Sequence, residues 1–275
     1  MSSAETVDVL GLRFDNMTRS EAARAIAELA ESPAKSYVVK PYSEFMPRAY
    51  RDAGIHDILN GAALCLADGA GILWAAHYLS LPGGHLRALW QLPLSLASLA
   101  VNPRAVRRPL KQNMAGVDLT WEMLSELNAR GATVFLLGST KAELRGTQER
   151  IEERFKRLRI VGAHPGYFRT SGDTNEAVIA EINAVEPQAL LVAMGFPLQE
   201  RWIAANLARL KVNVAVAEGG SFSFISGATR RAPPWMQRAG LEWLFRLLRQ
   251  PWRLRRQLSL PVFVWLVVRE RLGRE

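Results

Sequence analysis

A chain of 275 residues, 49% hydrophobic and 22% charged, can bury a sizeable core as one large α/β domain or two small ones. Its one cysteine, Cys65, lies in an apolar run, which excludes a disulfide within the chain and a cysteine-based metal site and points to the cytoplasm, with Cys65 as a small buried hydrophobe. The net charge of +9 is concentrated at one end: residues 228–275 hold eleven arginines, no lysine and three glutamates, and the remainder is nearly balanced.

The first fifteen residues carry neither a basic nor an apolar leader region, so no signal peptide is expected. Thr18-x-x-Glu21 is a capping box and predicts a helix from about Arg19 to Ala30. Ser36–Val39 reads as a short buried strand, stopped by Pro41, with a helix through Phe45 to Arg51. Leu64–Ala67 reads as a strand ending at Asp68-Gly69, followed by a helix from about Gly71 to Leu79. A poorly patterned region opens at Pro82 and closes near Pro109, with the apolar stretch Leu86–Val101 inside it. From Gly116 the rhythm is regular. Helices are predicted over about 117–129, 141–155, 173–184 and 199–210, alternating with strands over 133–137, 160–163, 189–193 and 212–217. The uncharged run Leu258–Val268 falls in a predicted helix from Pro251 that Pro261 is expected to kink or break. Neither apolar stretch reaches the roughly 20 residues that a spanning helix needs.

Short apolar strands alternating with helices imply a Rossmann-like, mostly parallel sheet covered on both faces. Gly69, Gly138, Gly195 and Gly219 fall where parallel strands end, the edge at which open α/β sheets bind ligands and helix amino ends favour phosphate. Plain turn geometry asks for the same glycines. The sequence has no phosphate-loop motif, no G-x-G-x-x-G after its first strand and no G-x-S-x-G. It has no D-x-D and no zinc spacing among its four histidines, so no metal site is expected.

The segments LADGAG (66–71), VFLLGS (134–139), GAHPGYF (162–168) and ALLVAMGFPLQERWI (from 189), with the run from Ala217 that includes RRAPPW and LEWLFRL, resemble the WecG/TagA/CpsF glycosyltransferases, family 26. The resemblance spans roughly residues 5–256 in the same order. It implies inverting, metal-independent transfer of an N-acetylmannosamine-type sugar from a UDP donor to a polyprenyl-diphosphate-linked acceptor, with no cofactor. It makes Asp68 the general base, a carboxylate placed to take the acceptor proton; the alternative is an aspartate that caps the next helix. Gln199 matches the glutamine of the family's donor site, with Glu200 beside it, and Gly138, Gly195, Gly219 and Gly220 let backbone approach the donor. Arg230, Arg231, Arg246, Arg253 and Arg256 are the candidates for holding a diphosphate.

Three departures stand out. The family's V-T-P-N reads Val39-Lys40-Pro41-Tyr42 here, which makes Lys40 and Tyr42 candidate substrate or donor contacts at which a donor or acceptor contact has changed. An arginine before the family's G-x-D is Asn113, ahead of Gly116 and Asp118. The interval 81–112 is long. The expected organisation is a core over 1–227 and an Arg/Trp-rich, membrane-associating appendage over 228–275, peripheral at the inner face of the cell membrane. Partners would be the UDP-sugar, the lipid-linked acceptor, an anionic membrane surface and a possible second copy. Two other readings fit the charge and the departures: a basic nucleic-acid module, which the uncharged Leu258–Val268 run disfavours, and a UDP-sugar-binding protein with altered catalysis.

Overall fold

The computed structural model describes residues 5–101, 106, 108–233, 236, 242–249, 251 and 254–273. A hairpin of β1 (Thr6–Val9) and β2 (Leu12–Asp15) opens the chain. Its two-residue turn has Leu10 and Gly11 both at positive φ, the geometry that matches the twist of a tight hairpin. Helix α1 (Arg19–Glu31) begins at the predicted capping box, with Thr18 and Glu21 bonded reciprocally.

Strand β3 (Ser36–Val39) leads through α2 (Met46–Arg51) and α3 (Ala53–Asn60) to β4 (Leu64–Cys65) and α4 (Ala70–Ser80). Helix α5 (His85–Val101) follows, and then α6 (Gly116–Ala129), β5 (Thr133–Gly138), α7 (Lys141–Arg154) and β6 (Arg159–His164). Next come α8 (Asp173–Val185), β7 (Ala189–Ala193), α9 (Leu198–Asn206), β8 (Val214–Ala217) and α10 (Ser221–Ile225). The described tail contains α11 (Glu242–Arg249), α12 (Leu254–Gln257) and α13 (Ser259–Gly273).

The six strands β3–β8 form one sheet in the order β4-β3-β8-β7-β5-β6, and every neighbouring pair is parallel. Every residue of β7 and β8 is buried, because helices cover both faces of a parallel sheet. Under one face α1, α6, α7 and α10 enclose a core around Leu136, Leu191 and Phe222. Under the other, α8 and α9, the latter through Trp202, pack on Phe135 and Leu190. A further core gathers the hairpin with α2–α5 and α13 around Phe14, Trp74, Tyr78 and Phe263.

Four features depart from the sequence reading or extend it. The hairpin and α3 were not expected, being too short for a periodic signal. The region read as poorly patterned is largely the 17-residue helix α5. The helical run expected from Pro251 is broken at Leu258, between α12 and α13, as Pro261 demands: the proline falls in the first turn of α13, where backbone N–H groups have no intrahelical partner to lose. Finally, the last helix of the expected appendage is built into the body of the protein. Phe263, Leu266 and Val267 are buried, and α13 packs against α2, α4 and α5.

Buried Arg271 fastens it, donating to the carbonyls of Tyr78 (2.7 Å) and Leu81 (3.1 Å) and to Gln91, with its guanidinium 4.4 Å from the Tyr78 ring centre. Cys65 is buried on β4. Burial, and after it the neighbouring Asp15 carboxylate, push its thiol pKa up, away from thiolate chemistry. No helix among the described residues is long and apolar enough to cross a membrane.

Candidate active site

The carboxyl ends of the parallel strands line one edge of the sheet, and most of the sequence-predicted site residues fall on it. Asp68 follows β4, Lys40 follows β3, Glu218 and Gly219 follow β8, Gly195 follows β7 and Gly138 ends β5. Chain connections leaving β3 and β8 run to opposite faces: α3 packs on α9, whereas α10 packs on α6 and α7. Neighbouring strands whose connections part in this way open a crevice, the usual ligand position in such sheets.

Asp68 is held through two successive backbone N–H groups. Its N–H donates to the Pro41 carbonyl (3.2 Å), and the next N–H, of Gly69, donates to the Asn113 side chain (2.7 Å). Asn113 therefore positions the Asp68 loop. Gly116, the first residue of α6, lies against this carboxylate: a Cβ there would stand 3.3 Å from Asp68 Oδ2 and 3.7 Å from Ser221 Oγ. One glycine thus separates the Asp68 carboxylate from the start of α10, and the amino end of a 14-residue helix favours negative charge at that spot.

Beside it lies a buried ion pair that sequence reasoning missed. Glu218 Oε2 is 2.9 Å from Lys40 Nζ, both side chains are removed from solvent, and the same oxygen accepts from the Thr120 hydroxyl. Thr120 also lies 3.3 Å from Ser221 Oγ. Lys40, expected to face the donor, is thus neutralised inside the protein. Glu218 had a signal, an acid at the end of an apolar strand like Asp68, but no motif singles it out.

Gln199 is buried as well and acts as a clamp. Its Oε1 accepts from the N–H groups of Gly195 and Gly219, both at 3.0 Å, which ties the loops after β7 and β8 together. Its Nε2 donates to Glu200 (2.9 Å), so the Glu200 carboxylate fixes which way the amide points. Burial raises the Glu200 carboxyl to about 7, against the smaller opposing effect of the Gln199 bond. Glu200 Oε2 and Glu218 Oε1 are buried with no hydrogen-bond partner among the described residues, which leaves acceptor capacity beside the crevice.

The glycines divide by role. A Cβ on Gly195 or Gly220 would meet nothing within 4 Å, and one on Gly219 only the Gln199 amide at 4.0 Å, so these three border open space. Gly138 has a structural reason instead, since a Cβ there would come within 2.4 Å of the Ala193 carbonyl oxygen on the adjoining strand. Tyr42 stands near Gly69 and packs on Phe45 (ring centres 4.1 Å), which stacks on Phe196 (3.6 Å), an aromatic wall joining the loops after β3 and β7.

Of the candidate arginines, Arg231 forms a two-pronged ion pair with Asp118, which also holds Arg19 at 2.9 Å, and Arg230 is exposed. Arg246 and Arg256 lie on the described backbone of α11 and α12, but their side chains, and Arg253 altogether, fall outside the described residues. Among the described residues no group of three or more His, Cys, Asp or Glu converges to hold a metal ion.

Matched to known families, residues 7–100 and 93–275 fit the glycosyl transferase WecG/TagA/CpsF family. The chain belongs to that family. It is a glycosyltransferase. The chain is 26% identical, over 98% of its length and 94% of the other's, to an N-acetylglucosaminyldiphosphoundecaprenol N-acetyl-beta-D-mannosaminyltransferase of Staphylococcus aureus (strain MW2). A protein of the same name from Bacillus subtilis (strain 168) is 28% identical over 81% of this chain and 75% of its own.

Proposed function

We propose that the protein transfers an N-acetylmannosamine-type sugar from a UDP donor to a polyprenyl-diphosphate-linked N-acetylglucosamine acceptor in cell-surface polysaccharide assembly, with inversion and without a metal ion. The observation that carries this reading is the Asp68 carboxylate at the amino end of α6, adjoining the open Gly219-Gly220 loop, in a chain whose relatives bear the names given above.

The donor lies across the loops that Gln199 clamps, over Gly195 and Gly219, with Tyr42 in the aromatic wall beside it. Asp68 accepts the proton of the acceptor hydroxyl as its oxygen attacks the anomeric carbon from the face opposite UDP. The bond from that carbon to the diphosphate oxygen breaks, and its electron pair leaves with UDP. Charge on the departing diphosphate is met by arginines, for which Arg230, Arg246, Arg253 and Arg256 are the candidates. The enzyme works peripherally at the inner membrane face, where the +8 tail meets anionic lipid.

The test is UDP release from a panel of UDP-sugars, with and without a short-chain polyprenyl-diphosphate-GlcNAc acceptor. Acceptor-dependent release from one donor is expected, with Asp68→Ala lowering it by about 10²–10⁴-fold while leaving UDP binding intact. Release that Asp68→Ala leaves unchanged would remove Asp68 from the chemistry. Tight UDP binding without release from any donor would select a binding protein with altered catalysis, the reading that the internal neutralisation of Lys40 favours.

A further inference from the structure

Helix α5 is apolar on both sides and covered on only one. Ala88 and Ser95 are buried, and Leu92, Leu96 and Leu99 pack against the core that holds Trp74 and Tyr78. The other side carries Leu86, Leu89, Trp90, Pro93, Leu94 and Ala97, all exposed. Their spacing of three and four residues places them in one stripe along the helix. Leu86 and Trp90 are each 79% exposed and Leu94 is 70% exposed, values that leave nearly the whole of each side chain bare. No charged residue interrupts the stripe, and Arg87, also exposed, stands at its edge. Soluble monomers rarely leave a continuous apolar strip of this kind uncovered.

The neighbouring elements repeat the pattern. On α13, which packs against α5, Trp265 is exposed with the Arg269 guanidinium 5.5 Å from its ring centre, and Leu258 just before that helix is 65% exposed. Leucine and tryptophan facing outward, with arginine as the bordering cation, match an apolar layer topped by anionic headgroups. A symmetric second copy would instead set one arginine-bordered stripe against another. At 17 residues α5 is about 25 Å long, and its inner side is held by the protein, so it lies along a bilayer rather than across it.

We infer that α5 is a membrane-docking helix that inserts Leu86, Leu89, Trp90 and Leu94 into the face of an anionic bilayer. That this seats the crevice beside a lipid-linked acceptor rests on the function proposed above; the docking itself does not.

The test compares the full chain with its Leu89→Ser/Trp90→Ser/Leu94→Ser variant in flotation with phosphatidylglycerol-containing vesicles and with pure phosphatidylcholine vesicles. The wild type is expected to bind the anionic vesicles more tightly. The triple variant should lose at least about tenfold in affinity, since three apolar side chains no longer leave water. A Leu89→Ile/Trp90→Phe/Leu94→Ile variant, which keeps the apolar stripe, should bind like wild type, and a Leu86→Ser/Trp90→Ser variant gives a second reading if the triple variant melts early. UDP release with a water-soluble short-chain acceptor should be the same in all of them. Unchanged vesicle affinity in a natively melting serine variant overturns the inference. So does a wild-type dimer that the serine variants turn into monomers with vesicle binding retained, which would give the face to a second copy. Failure of the transferase reading would show separately, as no UDP release by wild type from any donor, with the vesicle comparison unaffected.

Discussion

Lys40 and Glu218 meet at 2.9 Å with both side chains out of water, and a pair so placed is expensive to break and cheap to replace. Lys40→Met alone should destabilise the protein by about 3–5 kcal/mol, because it strands the Glu218 carboxylate. The double variant Lys40→Met/Glu218→Leu should recover most of that loss, and urea unfolding of the singles and the double would measure the coupling. Glu200 gives a pH signature. Its carboxyl is raised by burial from 4.5 to about 7, so the folded state keeps a proton that the unfolded chain releases. Stability from this group is therefore full below about pH 4.5, falls as pH rises toward about 7 and is level beyond it, a loss on the order of 3 kcal/mol. Glu200→Gln, which can still accept from Gln199, should flatten that slope between pH 5 and 7. At this scale Asp68 and Gln199 were legible because they sit in motifs at strand ends. The Lys40–Glu218 pair was not, since nothing local to either residue names its partner.

The elements were legible in proportion to their length and periodicity. β3 and β7 match the predicted spans, and α1 starts at its capping box, because a run of buried side chains or a reciprocal cap is a local property. Helix α5 was hidden because it is apolar all round, with Pro93 inside it, so no polar face marks its period. The packing of the last helix was hidden for a related reason: its uncharged residues suit a membrane or a protein interior equally, and the interior takes Phe263, Leu266 and Val267. Arg271 is what commits it. Arg271→Ala would leave the Tyr78 and Leu81 carbonyls without their donor and remove the cation from the Tyr78 ring. A loss of about 3 kcal/mol is expected, read as a lower urea midpoint. An unchanged midpoint would mean that α13 is held by its apolar face alone.

Across the whole molecule, the sequence by itself determined the class of fold and the edge that matters. Alternating apolar strands and helices demand a parallel sheet covered on both faces, and residues that follow such strands gather at their carboxyl ends, so the pattern alone puts Asp68, Gly195, Gln199 and Gly219 on that edge. The tertiary structure alone decided the strand order, and with it that β3 lies between β4 and β8, bringing Lys40 to Glu218 and Asp68 to the start of α10. It also decided which side of α5 is covered and which of the two apolar runs joins the core. Periodicity reports whether a face is buried. It cannot report what buries it, because that depends on contacts such as Thr120 to Glu218, 98 residues apart, which form only when elements remote in the chain are packed together.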